Sequence, residues 1–251
     1  MGHWCALDAY IPTILQRKHH HQIAPCKETS RQVKEHHSQE RIDGRLYRRN
    51  KMSTYFDTIK KSYADVPIEA GVDTSAFLEA TEGLVNLLGL LGSAAFSVVQ
   101  NDMNGNLKKI RERLLTAPTQ SATLEQLIEN EGKPGEAAKK RPASEGLMWL
   151  LRGLDFTAQA LRRSISDKSE QLSASFTKAY ESSLQQHHSF VIRPVFSLAM
   201  KACPYRQDFY TKLGNPPAKV EEELEHWLQG LEKIVKQLQN FYVKGGWAKG
   251  F

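Results

Sequence analysis

Apolar residues recur every three to four positions through most of this 251-residue chain, which is the spacing of a helix face that packs into a core. After Ser53, no run of alternating β-branched residues is long enough to require a sheet. The clearest apolar stripe comprises Val220, Leu224, Trp227, Leu231, Ile234, Val235 and Leu238. The sequence therefore predicts an all-α domain of seven or eight helices.

Cap residues and breakers set the bounds of these helices, and either Asp73 or Thr74 can cap the first one. The predicted segments are 73–91, 93–115, 124–128, 144–161, 174–201, 208–213 and the final helix with the stripe above. Residues 132–143 are predicted to form a surface loop. In the segment 174–201 the predicted stripe is Leu184, His188, Val191, Val195 and Leu198. Pro194 is expected to kink or break that segment.

The net charge of +6 is concentrated in residues 1–51, which contain ten Lys and Arg residues against five acidic ones. The rest of the chain is nearly neutral, so the charge does not indicate a nucleic-acid partner. Residues 1–51 also hold six of the nine histidines and show no apolar period. We interpret them as a disordered extension. We favour the hypothesis that this extension lies outside the native protein over the alternative that it is a functional tail. Residues 52–251 are then the folded domain.

The rest of the composition favours a soluble protein of the cytosol. The most apolar stretch, from Gly83 to Val99, is interrupted by polar residues and glycines and is too short to span a bilayer. Cys5, Cys26 and Cys203 form no zinc-binding spacing, and no secretory signal is recognisable. No metal site or cofactor is predicted.

A polar row interrupts the second predicted helix. Asp102, Asn106 and Lys109 are spaced by four and then three residues, so a helix presents all three on one face. A carboxylate, an amide and an ammonium together supply hydrogen-bond acceptors and donors. This combination suits a ligand with many hydroxyl groups, although exposed charges on an amphipathic helix would give the same spacing.

Four ordered motifs contain this row and continue beyond it. They are D-x-x-x-N-x-x-K at 102–109, M-W-L-x-R-G-L at 148–154, A-Y-E-x-x-L-x-x-x-H at 179–188 and A-x-P-Y-x-x-D-F at 202–209. In this order and at these separations they resemble the glycolipid transfer protein family, including its fungal heterokaryon-incompatibility members. The resemblance extends from about Phe77 to the C-terminus.

The resemblance implies a two-layer helical sandwich of about eight helices that encloses an apolar pocket for lipid chains. By matching positions, Asp102, Asn106 and Lys109 would bind sugar hydroxyls, and Trp149 would stack on the sugar ring. Asp102 would also accept from the ceramide amide, and His188 would donate to the ceramide carbonyl. The implied pocket residues are Leu88, Phe96, Val99, Phe156, Leu184, Phe196 and Phe209.

Two aromatic residues are candidates for membrane contact, because aromatic rings partition well at the level of the lipid headgroups. Phe190 occupies a position where the family often has an aromatic residue, and Trp247 lies in the tail GGWAKGF. Core packing is the alternative for both. Trp149 favours a sugar over a phosphate, since the relatives that prefer ceramide phosphate use extra arginines in the headgroup site.

The predicted function is a non-enzymatic carrier that moves a glycosphingolipid between membranes. The expected ligands are glucosyl-, galactosyl- or lactosylceramide, and the expected partner is a membrane surface to which the cytoplasmic protein binds peripherally. A glycolipid sensor that uses the same pocket is an open alternative. An enzyme is less favoured, since no nucleophile or metal motif is present and only one carboxylate lies among the predicted headgroup ligands.

Overall fold

The computed structural model describes residues 53–92, 94–133 and 141–249. In those residues the fold is helical and contains no β-strand, which confirms the predicted all-α class. The predicted extension 1–51 and most of the predicted loop 132–143 lie outside the described residues. The α-helices are α1 (Thr74–Gly89), α2 (Ala94–Thr116), α3 (Leu124–Glu131), α4 (Pro142–Ser166), α5 (Leu172–Ser182), α6 (Ile192–Lys201), α7 (Arg206–Leu213) and α8 (Pro217–Gly245).

Side-chain caps fix the starts of the early helices. The Asp73 carboxylate accepts from the backbone N–H of Ala76, as the sequence predicts for α1. At the start of α3, Thr123 and Gln126 form a reciprocal capping box. The N-terminus of α4 is capped from another helix, because the Glu131 carboxylate accepts from the N–H groups of Ala143 and Ser144 at 3.2 and 2.7 Å.

Helix α4 lies at the centre of the fold and packs against α2, α5 and α8. Its contact with α8 is reinforced at both ends of the interface. The Tyr242 hydroxyl donates to the carbonyl of Ser144 at 2.7 Å, and the Arg162 guanidinium pairs with Glu225 and Glu232. The predicted stripe of α8 is buried throughout. These contacts hold the helix that carries Trp149 in a fixed place.

The prediction of one helical stretch over 174–201 is wrong. Helix α5 ends at Ser182, a 3₁₀ turn covers Gln185–His187, and α6 begins at Ile192. Pro194 is not the break, since it is the third residue of α6, where a missing N–H removes no helix hydrogen bond. The predicted apolar stripe is also wrong, because the helix that it requires is interrupted. Val191 and Leu198 of that stripe are exposed. His188 is buried in extended backbone at the end of the 3₁₀ turn instead.

Candidate functional site

Asp102, Asn106 and Lys109 form a connected polar row on α2, as their spacing predicts. Asn106 Nδ2 donates to Asp102 Oδ2 at 3.2 Å, and Lys109 Nζ donates to Asn106 Oδ1 at 3.1 Å. Asn106 is buried, with 4% of its surface exposed, while Asp102 and Lys109 are half-buried. The central amide therefore orients both charged groups at the edge of the core.

A glycine allows α4 to approach this row. A Cβ on Gly146 would lie 3.2 Å from Lys109 Cδ, 3.3 Å from the Asn106 carbonyl oxygen and 3.4 Å from Asn106 Oδ1. The first two separations are shorter than ordinary van der Waals contacts, so any larger residue would push against the row. A glycine inside a helical pattern is the sequence signal for such a close approach, and the sequence prediction missed it.

Trp149 lies one helical turn beyond Gly146 and is half-buried. The guanidinium of Arg152 lies over its indole ring, with Cζ 4.4 Å from the ring centroid. Burial lowers the pKa of Arg152 below its ordinary value, because partial removal of water disfavours the cation. Arg152 is a second residue that the sequence prediction did not assign to the site.

His188 is buried, with 4% of its surface exposed. Its Nδ1 is 3.0 Å from the hydroxyl of Tyr180, and its ring centroid is 4.4 Å from that of Phe196. Burial, followed by the electrostatic effects of His187, Arg193 and Arg152, lowers the pKa of His188 to about 4. At neutral pH the imidazole is therefore uncharged and has one donor and one acceptor nitrogen.

An aromatic cluster extends from His188 into the core. Tyr180 stacks on Phe196 with ring centroids 5.3 Å apart, and Phe156 meets the ring of Tyr180 edge to face. Phe176 then joins Phe156 to Phe96. All seven predicted pocket residues are buried: Leu88, Phe96, Val99, Phe156, Leu184, Phe196 and Phe209. The sequence prediction did not name Phe176 and Tyr180, which belong to the same cluster.

The two predicted membrane contacts have different surroundings. Phe190 is 84% exposed and is followed by the exposed Val191. Trp247 is half-buried, and a Cβ on either Gly132 or Gly245 would overlap its ring. Arg141 also donates to the carbonyls of Trp247 and Lys249 at 3.0 and 2.6 Å. In the structure, Trp247 packs against the protein, whereas Phe190 faces outward.

None of the described helices combines the length and the hydropathy that crossing a bilayer requires. Within residues 53–92, 94–133 and 141–249, no three His, Cys, Asp or Glu side chains are grouped so that they could hold a metal ion.

Comparisons with known proteins agree with the motifs. The sequence profile of the family described as Glycolipid transfer protein (GLTP) matches residues 72–215. A glycolipid transfer protein from Aureobasidium melanogenum is 54% identical over 189 residues, which cover 75% of this chain and 92% of the relative. The chain spans 38 to 39% of the length of several longer curated relatives.

Two solved structures share the fold. HET-C2, a fungal glycolipid transfer protein, superposes with a TM-score of 0.71 at 47% identity and covers 75% of this chain and 96% of its own. The structure of FAPP2, which selects simple glycosphingolipids by means of the same fold, superposes with a TM-score of 0.72 at 29% identity. That match covers 78% of this chain and 98% of the other. With the profile spanning more than half of its length, the chain belongs to the glycolipid transfer protein family.

Proposed function

We propose that this protein is a non-enzymatic carrier that takes one glycosphingolipid from a membrane and releases it at another. The observation that carries the proposal is the polar row of Asp102, Asn106 and Lys109 on α2, a helix that also contributes Phe96 to the buried aromatic cluster. A sugar headgroup linked to hydrocarbon chains needs both kinds of surface. Family membership and the names of the relatives support the carrier activity.

The polar row would recognise the sugar headgroup through hydrogen bonds. Sugar hydroxyls both donate and accept hydrogen bonds, and each polar group that is buried without a partner costs about 1–3 kcal/mol. Asp102 offers acceptors and Lys109 offers donors. Asn106 hydrogen-bonds both side chains and so fixes their relative positions. The indole ring of Trp149 would cover the apolar C–H side of the sugar ring.

Asp102 and His188 would bind the ceramide amide. Asp102 would accept from its N–H, and His188 would donate to its carbonyl oxygen. Because the pKa of His188 is lowered to about 4, this donor is neutral at physiological pH. Two directed bonds of this kind would orient the lipid where the headgroup meets the hydrocarbon chains.

The hydrocarbon chains would lie in the buried apolar region around Phe96, Phe156 and Phe196. Burial of each CH₂ group away from water is worth about 0.8 kcal/mol, but a lipid that leaves a bilayer exchanges one apolar medium for another. Selectivity would therefore come from the headgroup, and transfer would follow the lipid gradient. Glucosyl-, galactosyl- and lactosylceramide are the proposed ligands, and no metal, nucleotide or other cofactor takes part.

The protein would act in the cytoplasm and bind membranes peripherally. The exposed Phe190 is the proposed membrane contact. Insertion of Trp247 would require its release from Gly132 and Gly245, so we propose it only as a contact that follows binding.

The test is transfer of fluorescent galactosylceramide between vesicles by the full chain. Wild type should transfer the lipid, and Asp102→Asn and Trp149→Ala should each lose most of the activity. Glu112→Gln is the matched control, because Glu112 is an exposed carboxylate on the same helix that pairs with Lys108. No transfer by folded wild type, or unchanged transfer by both site variants, would contradict the proposal.

A further inference from the structure

The hydroxyl of Tyr180 and the imidazole of His188 form a buried pair beside the proposed ceramide site. The two atoms are 3.0 Å apart, and 3% of Tyr180 and 4% of His188 are exposed. Tyr180 lies in the last turn of α5, while His188 follows in the irregular segment before α6. The bond therefore joins a helix to a residue that no helix holds.

The ring of Tyr180 is fixed from two sides. It stacks on Phe196 of α6 at an interplanar angle of 13°, and Phe156 of α4 meets it edge to face at 6.3 Å. A ring held in this way has little rotational freedom. Its hydroxyl is consequently held at a fixed position beside the imidazole.

The direction of the hydrogen bond decides which imidazole nitrogen carries the proton. Among the described residues, the Tyr180 hydroxyl hydrogen-bonds Nδ1 of His188. A buried hydroxyl hydrogen needs an acceptor, and Nδ1 meets that need only when it carries no proton. A neutral imidazole then holds its proton on Nε2.

Both groups stay in the required protonation states. Burial raises the pKa of Tyr180 to about 12, so the phenol keeps its hydrogen. The pKa of His188 is lowered to about 4, first by burial and then by His187, Arg193 and Arg152. Arg193 also donates to the backbone carbonyl of His188 at 3.2 Å, which helps to hold the segment in place.

We propose that Tyr180 is a positioning residue: its hydroxyl donates to Nδ1 of His188 and thereby keeps the proton on Nε2, where it can be donated to the carbonyl oxygen of a bound ceramide. The lipid contact rests on the proposed function, whereas the tautomer is a property of the protein alone. Tyr180 touches no lipid in this role. It decides whether His188 acts as a donor.

The experiment combines a spectroscopic readout with transfer. Long-range ¹H–¹⁵N NMR of ¹⁵N-labelled full chain distinguishes the two neutral tautomers of a histidine, and His188→Gln identifies the His188 signals. We expect the Nε2–H tautomer in wild type and a mixture of tautomers in Tyr180→Phe. Galactosylceramide transfer should fall roughly 5- to 10-fold in Tyr180→Phe, the loss expected when one hydrogen bond is misdirected.

Tyr210→Phe is the matched control, because it also removes a tyrosine hydroxyl that hydrogen-bonds a side chain, that of Ser164. It should change neither the His188 tautomer nor the transfer rate. Circular dichroism of each variant establishes that it is folded.

An Nδ1–H tautomer in wild type, or an unchanged tautomer in folded Tyr180→Phe, would overturn the proposal. The expected tautomers together with an unchanged transfer rate would overturn its functional half. If wild type transfers no lipid, the carrier function fails, but the NMR result still decides whether Tyr180 sets the tautomer.

Discussion

Arg152 covers the indole ring of Trp149, with its guanidinium carbon 4.4 Å from the ring centroid. The two residues are three positions apart on α4, so the longer side chain reaches back over the ring one turn earlier. A cation held against one indole face restricts the ring. The proposed sugar platform is thus oriented by a residue of its own helix.

Replacement of Arg152 by Met should weaken transfer while leaving the fold intact. A cation–π contact is worth about 0.5–2 kcal/mol, which corresponds to roughly a 2- to 30-fold loss if it serves to orient Trp149. Arg152→Lys should retain part of the activity, since an ammonium can also lie over the ring. Vesicle transfer assays measure both variants.

Arg163→Met is the control for Arg152, because Arg163 is an exposed arginine of the same helix that pairs with Glu170. Equal transfer by Arg152→Met and Arg163→Met would show that the contact with Trp149 has no role in transfer.

Gly146→Ala should reduce transfer by displacing the polar row. Its new methyl group would lie 3.2 to 3.4 Å from atoms of Lys109 and Asn106, which must move to admit it. In contrast, a Cβ on Gly153 of the same helix meets no atom within 4 Å. Gly153→Ala should therefore keep full transfer and raise the free energy of unfolding by up to about 1 kcal/mol through helix propensity. Transfer assays and urea unfolding of the two variants give the comparison, and a Gly146→Ala protein with wild-type transfer would refute the close-approach argument.

Stability should decline in mildly acidic solution partly because of His188. Its pKa is lowered from an ordinary value of 6.5 to about 4 in the folded protein. Between those values the unfolded chain binds a proton that the folded chain does not, so unfolding becomes more favourable as pH falls. The contribution is intact above pH 6.5, is lost progressively down to about pH 4, and amounts to on the order of 2–3 kcal/mol.

The measurement is the free energy of unfolding between pH 7 and pH 4 for wild type and His188→Gln. The variant should show the smaller decline over this range, whereas His226→Gln, which alters an exposed histidine of α8, should match wild type. Parallel curves for wild type and His188→Gln would exclude the buried, neutral state of His188.

Phe190→Ala should lower binding to vesicles without lowering stability. The side chain is 84% exposed, so its removal opens no cavity and should change the free energy of unfolding by less than about 0.5 kcal/mol. Leu115→Ala is the control, because Leu115 is a similarly exposed apolar residue at the end of α2. Vesicle co-sedimentation should fall for Phe190→Ala alone, and a similar loss in both variants would indicate general surface hydrophobicity.

Local signals predicted most of the fold. Caps such as Asp73 and the stripe of α8 depend on residues close in the chain, and the structure confirms both. Pro194 predicts the break between α5 and α6 at the wrong position, because the first turn of a helix tolerates proline. The apolar spacing continues through the irregular segment, so periodicity alone does not reveal the break.

The candidate site likewise contains some residues that follow from local sequence signals and others that do not. The row of Asp102, Asn106 and Lys109 lies on one helix and follows from spacing alone. Tyr180 and Gly146 contact residues outside their own helices, and these partners become adjacent only through tertiary packing. Arg152 is local to Trp149, but an arginine three residues from a tryptophan is most often an exposed charge on a helix.

The most direct test of the account compares two fluorescent lipids with the same labelled acyl chain, galactosylceramide and ceramide without a sugar. The full chain should transfer galactosylceramide at least about 10-fold faster, since several hydrogen bonds to the polar row are available only to the glycolipid. Asp102→Asn should remove most of that preference. Equal rates for the two lipids in wild type would contradict the claim that Asp102, Asn106 and Lys109 recognise a sugar headgroup.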